Sequence, residues 1–325
     1  MIAPAPRGVA LRGPMVQSSG SIVRIGTRGS PLALAQARRV RSALAAAHGW
    51  EEPAVEISII RTSGDAIQDR PLAEAGGKGL FTKEIEDALR CGAIDIAVHS
   101  AKDLPTSLPD GLALAACLPR EDVRDAFISR KAASLQTLAP QSRVGTASLR
   151  RGAMVKRLRP DLVVGSLRGN VETRLKKLES GAVDATLLAL AGLRRLGLEG
   201  VATMVLPVDG FLPAVGQGAI AIEIRADDRR TGAIIAAVDD ADTMTALRAE
   251  RAFLAELDGS CRTPIAGHAT LDAGMLRFRG MILRPDGSEA HETIRTGDQS
   301  DAVRLGADAG RELRSRVPAD FFAVR

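Results

Sequence analysis

Residues 95–105 read DIAVHSAKDLP, an apolar run that ends abruptly in polar side chains. Ile94 to Val98 has the length and composition of a strand that is buried on both faces of a parallel sheet. Lys102 and Asp103 follow just beyond its carboxyl end. In open parallel sheets, ligands bind outside the carboxyl ends of the strands. The stretch therefore predicts an α/β fold with a ligand site at this point.

The alternation of strand and helix signals extends from this stretch in both directions. Ile22 to Ile25 predicts a strand, and Ser30 then supplies an N-cap with Pro31 at the first helical position. Gly49 is the expected stop of that helix. Strand and helix signals continue to alternate through residues 111–236, which indicates an α/β architecture with mostly parallel sheets.

The pattern changes after about residue 240, where one helix precedes several strands. Met244 to Leu257 predicts the helix, and the stretch RPDG predicts a hairpin turn between two of the strands. We therefore predict a smaller C-terminal α+β unit. Its remaining elements are strands at Ile265–Leu271, Met275–Leu283 and Ala290–Thr296 and a last helix at Ala302–Arg314.

The charge balance favours an anionic partner. The formal net charge is +5 and the isoelectric point is about 9.5. Aromatic residues make up only 2%, which argues against a protein that stacks single-stranded bases on aromatic rings. No zinc-finger or basic-zipper pattern is present. A small polyanionic ligand therefore fits at least as well as nucleic acid, and we predict no nucleic-acid partner.

The cysteines and the N-terminus bear on the compartment. Cys91, Cys117 and Cys261 are an odd, scattered set without metal-ligand spacing, which favours a reducing compartment, and we predict the cytoplasm. The four histidines are also scattered, so no metal site is predicted. No apolar run is long enough to span a membrane. Residues 1–20 lack an apolar signal core, and we interpret them as a disordered extension, with a targeting segment as the alternative.

Arginines recur where a predicted strand leads into a predicted helix. Helix N-termini expose backbone N–H groups, and the planar guanidinium suits carboxylates and phosphates. The alternative is that Ser30, Ser148 and Asn170 only cap these helices and the arginines are solvated. If the junctions converge, the ligand carries several negative groups. The arginines concerned are Arg28, Arg150, Arg151, Arg168, Arg174, Arg194 and Arg195.

Asp103 and a glycine-containing loop are further candidates. A carboxylate at the strand end can stabilise a cation or move a proton. Alternatively, Asp103 pairs with Lys102 or caps the turn before Pro105. The loop EAGGKGLFTKE lets backbone approach a ligand, with Lys78 as a charge, but it lacks the spacing of a nucleotide P-loop. A mobile loop without a binding role is the alternative there.

Cys261 lies among turn residues in ELDGSCRTP, after a predicted helix. Arg262 beside it favours the thiolate. A cysteine nucleophile normally needs a histidine base, for which His99 and His268 are the candidates. The alternatives from the residues alone are a Cys–His hydrolase and an inert loop thiol.

Taken together, these segments resemble the porphobilinogen deaminase family from about Ile22 to the C-terminus. The combination is highly specific, although no single segment is. Gly29, Glu74 and Val123 depart from frequent family residues, which bears on loop contacts and not on the matched acid, arginines or cysteine. The matching segments are RIGTRGSPLALAQA, GGKGLFTKEIE, DIAVHSAKDLP, REDVRDAF, VGTASLRR, SLRGNVETRL, LALAGLRRLGL, LPAVGQGAIAIE and ERAFLAELDGSCRTPIAGHA.

The resemblance implies a transferase that joins four porphobilinogen molecules head to tail, with loss of ammonia, into hydroxymethylbilane. It implies a dipyrromethane cofactor held by a thioether to Cys261, the catalytic aspartate at Asp103, and an active-site loop with Lys78 and Phe81. The implied cofactor-binding residues are Lys102, Asp103, Ser148, Arg150, Arg151, Arg168 and Arg174. The implied substrate-binding residues are Arg28, Ser30, Arg168, Arg174 and Arg195.

The resemblance also implies a monomer with two α/β domains like those of periplasmic binding proteins and a third, α+β domain with a three-stranded antiparallel sheet. Domain 1 is expected at residues 21–118 and 219–238, domain 2 at 119–218 and domain 3, with the cysteine loop, at 239–325. The main alternative is a two-lobed module that binds a polyanion without catalysis. It explains the arginines but gives no role to Cys261 or Asp103.

Overall fold

The computed structural model describes residues 22–66, 82–257 and 263–323. The strands in these ranges are β1 (Val23–Thr27), β2 (Val55–Ile59), β3 (Ile96–Ser100), β4 (Leu112–Cys117), β5 (Asp125–Ser129), β6 (Arg143–Gly145), β7 (Val163–Gly165), β8 (Ala185–Ala189), β9 (Met204–Val205), β10 (Ile220–Arg225), β11 (Ile265–Asp272), β12 (Met275–Leu283) and β13 (Ala290–Asp298). The helices are α1 (Pro31–His48), α2 (Ser63–Ala66), α3 (Lys83–Arg90), α4 (Leu149–Leu158), α5 (Val171–Glu179), α6 (Leu190–Arg195), α7 (Arg229–Ile235), α8 (Ala241–Glu256) and α9 (Ala302–Ser315).

Two of the sheets are built alike. The first has the order β2-β1-β3-β10-β4 and the second β7-β6-β8-β5-β9. In the first sheet, β10 runs antiparallel to both its neighbours, so the other four strands point the same way. In the second sheet, β5 is the strand that runs against the rest. The expectation of mostly parallel sheets is therefore confirmed.

The reversed strand of each sheet is the strand that enters it from the other sheet. The chain leaves the first sheet after β4 and enters the second as β5, and it returns after β9 as β10. The first sheet is therefore discontinuous in sequence, as the resemblance implied. The exact domain boundaries stay a prediction.

The two crossings touch each other backbone to backbone. Gly218 in the return crossing has φ +89°, and a Cβ on it would lie 2.3 Å from the carbonyl oxygen of Glu121 in the outward crossing. Gly216 has φ +72°, and its Cβ would lie 2.9 Å from the backbone nitrogen of Lys102. Both positions need glycine, because an L side chain is disfavoured at these angles and has no room.

We expect Gly218→Ala to lower the free energy of unfolding by about 2–4 kcal/mol, since left-handed strain and overpacking add up. The urea midpoint, with its slope, measures the change. Gly200→Ala is the matched control, because Gly200 has no positive φ and no atom within 4 Å of its added Cβ. Equal midpoints for both variants would contradict the tight packing of the crossings.

The third sheet has the antiparallel order β11-β12-β13, with α8 and α9 packed on it. Phe253 of α8 and Phe278 of β12 pack at 4.9 Å between ring centroids in a fully buried core. Ala266 and Leu283 of this unit belong instead to the core of the second sheet. The predicted C-terminal α+β unit is confirmed, and it packs directly against the second sheet.

Glu250 of α8 joins this third unit to both crossings. Its carboxylate is fully buried and accepts hydrogen bonds from Arg120 in the outward crossing, at 2.7 and 3.0 Å. It also accepts from the backbone nitrogens of Gly216, at 2.7 Å, and Ala269, at 2.8 Å. Buried carboxylates persist where such donors satisfy them, so this group fixes the junction. In the described ranges, no helix is long and apolar enough to cross a membrane.

Candidate active site

The candidate site is an open cleft between the first two sheets. One pocket lies beyond β1 and β3 and is lined by residues that include Arg28, Ser30 and Asp103. A second pocket shares part of its lining with the first and takes Lys102 from the turn after β3 and Arg195 from α6. The structure therefore brings these five predicted site residues to one place, at the strand ends where ligands bind in such sheets.

Asp103 lies in a single helical turn that directly follows β3. Its side chain is exposed and lines the first pocket. Lys102 donates a hydrogen bond to Gln217 Oε1 at 3.3 Å, and Asp103 has no ion-pair partner among the described residues. Asp103 therefore does not form an ion pair with its neighbour Lys102, which was one of the alternatives from the sequence. The carboxylate is accessible to a ligand.

The first turn of α4 holds Arg150 and Arg151 in a buried ion-pair group. Arg150 Nη2 donates to Asp125 Oδ2 at 2.8 Å, and Arg151 Nη2 donates to Asp125 Oδ1 at 2.6 Å. Arg150 and Arg151 are 3% and 5% exposed, and Asp125 is fully buried. Burial by itself raises the pKa of Asp125, but the charges of both arginines outweigh it and hold that pKa well below its usual range. One carboxylate therefore serves two guanidinium groups, and one positive charge is left over.

Further cations face this group from the cleft. Desolvation by burial lowers the pKa of Lys102 to about 8, and Arg151 adds to the effect while Asp103 opposes it. Desolvation also lowers the pKa of Arg174 to about 10, again with Arg151 adding and Asp103 opposing. Arg168 contributes to the lowered pKa of Arg174. These groups are therefore close enough to interact, and the cations among them destabilise one another.

The cluster has an excess of positive charge. Leaving aside Arg168, its members are the cations Lys102, Arg150, Arg151 and Arg174 and the carboxylates Asp103 and Asp125. Four cations against two carboxylates leave two positive charges uncompensated within the cluster. Opposite charges brought by a ligand relieve this repulsion, so the arrangement suits a ligand with several carboxylates or phosphates.

The two arginines at the end of α6 point to different partners. Arg195 Nη2 donates to Gly218 O at 2.5 Å in the return crossing and lines the second pocket. Desolvation lowers the pKa of Arg195 to about 10, with Arg39 adding to the effect. Arg194 instead forms an exposed ion pair with Glu121 at 2.8 Å. Of this pair, Arg195 is the one positioned for a ligand.

The serines and the asparagine at the junctions do cap their helices. Ser30 accepts from the backbone nitrogen of Ala33 at 3.3 Å, and Ser148 accepts from that of Arg151 at 3.4 Å. Asn170 accepts from the third residue after it in the same way, at 2.8 Å. Capping therefore explains why these residue types occur here. The ligand-binding roles expected for Ser30 and Ser148 stay predictions.

Two central residues were not predicted as site residues. Asp125 pairs with Arg150 and Arg151, and Gln217 connects Lys102 to Asp125. The sequence did contain a signal for each. Asp125 is a charged residue at the start of the apolar strand DAFIS, and Gln217 lies between two glycines in VGQGA. Without the fold, neither pattern shows whether the side chain belongs to a buried network or is solvated.

Several predicted residues lie outside the described residues, namely Lys78 and Phe81 of the loop, Cys261, Arg262 and the segment 1–20. Their expected roles stay predictions. Of the two candidate bases for a Cys–His hydrolase, His99 is buried with its Nε2 at 3.3 Å from Glu223 Oε2. Neither this nitrogen nor the Glu223 carboxylate makes a hydrogen bond among the described residues.

Comparisons with known proteins agree over nearly the whole chain. The family model "Porphobilinogen deaminase, dipyromethane cofactor binding domain" matches residues 23–233, and "Porphobilinogen deaminase, C-terminal domain" matches 244–315. A porphobilinogen deaminase of Nitrobacter hamburgensis is 62% identical over 95% of this chain and 99% of its own length. One of Paracoccus denitrificans is 56% identical over 92% of this chain and 96% of its own.

Among solved structures, the methionine-binding protein MetQ covers 68% of this chain and 91% of its own, with 13% identity and a TM-score of 0.43. A periplasmic substrate-binding protein of an ABC transporter from Coxiella burnetii covers 69% of this chain and 94% of its own, with 14% identity and a TM-score of 0.43.

Proposed function

The chain belongs to the porphobilinogen deaminase family, and from this premise we propose that the cleft between its first two sheets joins porphobilinogen units with Asp103 as the catalytic group and Cys261 as the cofactor anchor. The chain is a transferase of tetrapyrrole biosynthesis, and its cofactor is a dipyrromethane. It builds the linear tetrapyrrole hydroxymethylbilane from four porphobilinogen molecules, with release of ammonia.

The observation that carries the proposal is the cationic cluster around Asp103. Each pyrrole of the cofactor and the substrate has an acetate and a propionate arm, so a dipyrromethane brings four carboxylates. Arg151, Arg174 and Lys102 form part of a cluster with two uncompensated positive charges. The residues present therefore fit the group, because its carboxylates supply the charge that the cluster lacks.

When bound, the cofactor supplies a covalent primer on which the product chain is extended. Holding that primer in the cleft makes each addition effectively unimolecular. We propose that Lys102, Ser148, Arg150 and Arg151 orient its carboxylates. Arg168 and Arg174 are proposed to bind carboxylates of both cofactor and substrate.

Asp103 is proposed to act on the substrate's reacting carbon. The C–N bond of the protonated aminomethyl group breaks, its electron pair leaves with neutral ammonia, and a cationic azafulvene remains. A carboxylate beside the pyrrole N–H stabilises this positive charge where it develops. The unsubstituted α-carbon of the accepting pyrrole then attacks, and Asp103 can accept the α-proton that leaves. The exposed carboxylate in the first pocket suits both steps.

The remaining substrate contacts are proposed for side chains on the pocket walls. Arg28, Ser30 and Arg195 line the two adjoining pockets, so they can bind the acetate and propionate arms while Asp103 faces the aminomethyl carbon. We also propose that the protein acts as a cytoplasmic monomer. The free thiols of Cys91 and Cys117 are consistent with a reducing compartment.

Intact mass and turnover of the purified protein test the proposal together. We expect a mass above the sequence mass by one dipyrromethane, and formation of hydroxymethylbilane from porphobilinogen. Cys261→Ala is expected to lack the extra mass. Cys91→Ala is the matched control, since Cys91 is an exposed free thiol that should keep the adduct.

A wild type that turns over porphobilinogen without the extra mass would contradict the anchor role of Cys261. A wild type that binds polyanions but never consumes porphobilinogen would favour the alternative, a binding module without catalysis. The two measurements therefore separate the cofactor, the reaction and simple binding.

A further inference from the structure

Gln217 lies in the return crossing, between the two glycines that contact other backbone segments. Its side chain is fully buried. Its backbone carbonyl oxygen accepts a hydrogen bond from Arg120 Nε at 3.0 Å, which links the return crossing to the outward crossing. On either side, an added Cβ at Gly216 or Gly218 would lie within 3 Å of another backbone segment. The amide therefore lies where both crossings are closely packed.

The amide group of Gln217 bridges the first two sheets. Its Nε2 donates to Val123 O at 2.7 Å and to Asp125 Oδ1 at 2.9 Å, so both N–H bonds are used on the side of the second sheet. Its Oε1 accepts from Lys102 Nζ at 3.3 Å on the side of the first sheet. Among side chains, only Asn and Gln carry two amide donors and an acceptor together, and Asn is one methylene shorter.

The position of Lys102 explains why such a bridge matters. The like charges of Arg151 and Arg150 repel its ammonium group, and the opposite charges of Asp103 and Asp125 attract it. The amide oxygen is a neutral acceptor that stabilises the ammonium beside two guanidinium groups. Without it, repulsion from the arginines favours a neutral amine or a side chain turned away from the cluster.

We propose that Gln217 is a positioning residue, whose amide holds the protonated Lys102 at the cleft and in register with Asp125, Arg150 and Arg151. The inference rests on the proposed function, in which Lys102 binds carboxylates. It assigns to Gln217 no contact with the reacting atoms. Its effect on the reaction passes through the charge and the place of Lys102.

Two variants with opposite chemistry test this. Gln217→Met keeps the length of the side chain but removes donor and acceptor. Gln217→Glu keeps an oxygen that can accept from Lys102 and removes the amide donors to Asp125. We expect Gln217→Met to lower the pKa of Lys102 by about one unit, and Gln217→Glu not to lower it.

The readout is the rate at which the Lys102 amine is labelled by reductive methylation across pH 6–10, followed by peptide mass spectrometry. The wild-type pKa of Lys102, lowered to about 8, means that its charge is present at low pH and is lost as pH rises through 8. In Gln217→Met, the alkaline limb of kcat/KM should move to lower pH together with the labelling curve, so that the loss is several-fold at pH 7.5 and small at pH 6. Gln136→Met, at an exposed loop position, is the control.

An unchanged labelling curve in Gln217→Met would overturn the inference. Equal rate losses in both variants at every pH, without a change at Lys102, would also overturn it, because they indicate a structural role alone. Labelling needs no turnover, so it tests the Gln217–Lys102 bond independently of activity. If the proposed function is wrong, the wild type does not turn over porphobilinogen. If this inference is wrong, only the results for the Gln217 variants differ from those expected.

Discussion

Asp103→Asn is expected to lower the turnover of porphobilinogen by about 100-fold or more, the size of effect seen when one electrostatic stabiliser is removed from an active site. The amide has nearly the shape of the carboxylate but no charge to stabilise the azafulvene cation and little basicity for the departing α-proton. Because Asp103 is exposed and has no ion-pair partner among the described residues, its substitution should not disturb folding. The urea midpoint and the mass of the bound cofactor should stay as in the wild type.

Steady-state rates and intact mass check this prediction, and Asp110→Asn is the matched control. Asp110 is another exposed aspartate on the same connection between β3 and β4. Its variant should turn over at the wild-type rate. Near-normal turnover in Asp103→Asn would rule out the catalytic role of that carboxylate, whereas loss of the cofactor mass would instead indicate a role in assembly.

Asp125→Asn is expected to lower the free energy of unfolding by about 3–5 kcal/mol, since it leaves buried charges without their partner. Arg150 and Arg151 both lose their counter-charge, at 2.8 and 2.6 Å, and one of the two acceptor oxygens is replaced by an amide NH2 that faces other donors. The effect should be seen as a lower urea midpoint with an unchanged slope. Cofactor loading should fall as well, because both arginines then adjust their positions.

The pH dependence gives this second prediction a further check. Asp125 has a folded-state pKa held below its usual range, so its contribution is fully present above the ordinary aspartate pKa, about 4. It declines as pH falls below that value and is gone once pH has fallen through the lowered one. The stability difference between wild type and Asp125→Asn should therefore be constant from pH 5 to about pH 6, below the range in which Lys102, whose pKa the charge of Asp125 raises, begins to titrate. The control is Asp161→Asn, whose partner Arg159 forms a pair nearer the surface, and there little change is expected.

Local sequence patterns predicted the elements that carry the site. Ser30 and Pro31 mark the start of α1, and the RPDG turn joins β12 to β13, because capping and turn chemistry depend on neighbouring residues alone. The apolar run before Asp103 became β3, a strand buried between two others in its sheet. These features are local, so the sequence contains all the information that specifies them.

The sequence could not say whether the arginines converge on one site. In the structure some of them line the cleft and others do not. Arg194 and Arg195 are adjacent in sequence and have the same chemistry, yet one pairs with Glu121 at the surface and the other lines the cleft. The direction of each side chain depends on how α6 packs beside the crossings. No spacing rule contains that information.

By itself, the sequence determined the α/β class, the smaller C-terminal unit, the family and the residues that match its acid and cysteine, because these rest on local patterns and on segment order. Only the tertiary structure decided that Asp125 pairs with both Arg150 and Arg151 and that Gln217 joins this group to Lys102. Gln217 is more than ninety positions from Asp125 along the chain and bonds it because the return crossing runs beside the outward one. Buried polar groups must find partners wherever folding brings them, and long-range contacts, not neighbours in sequence, supply them.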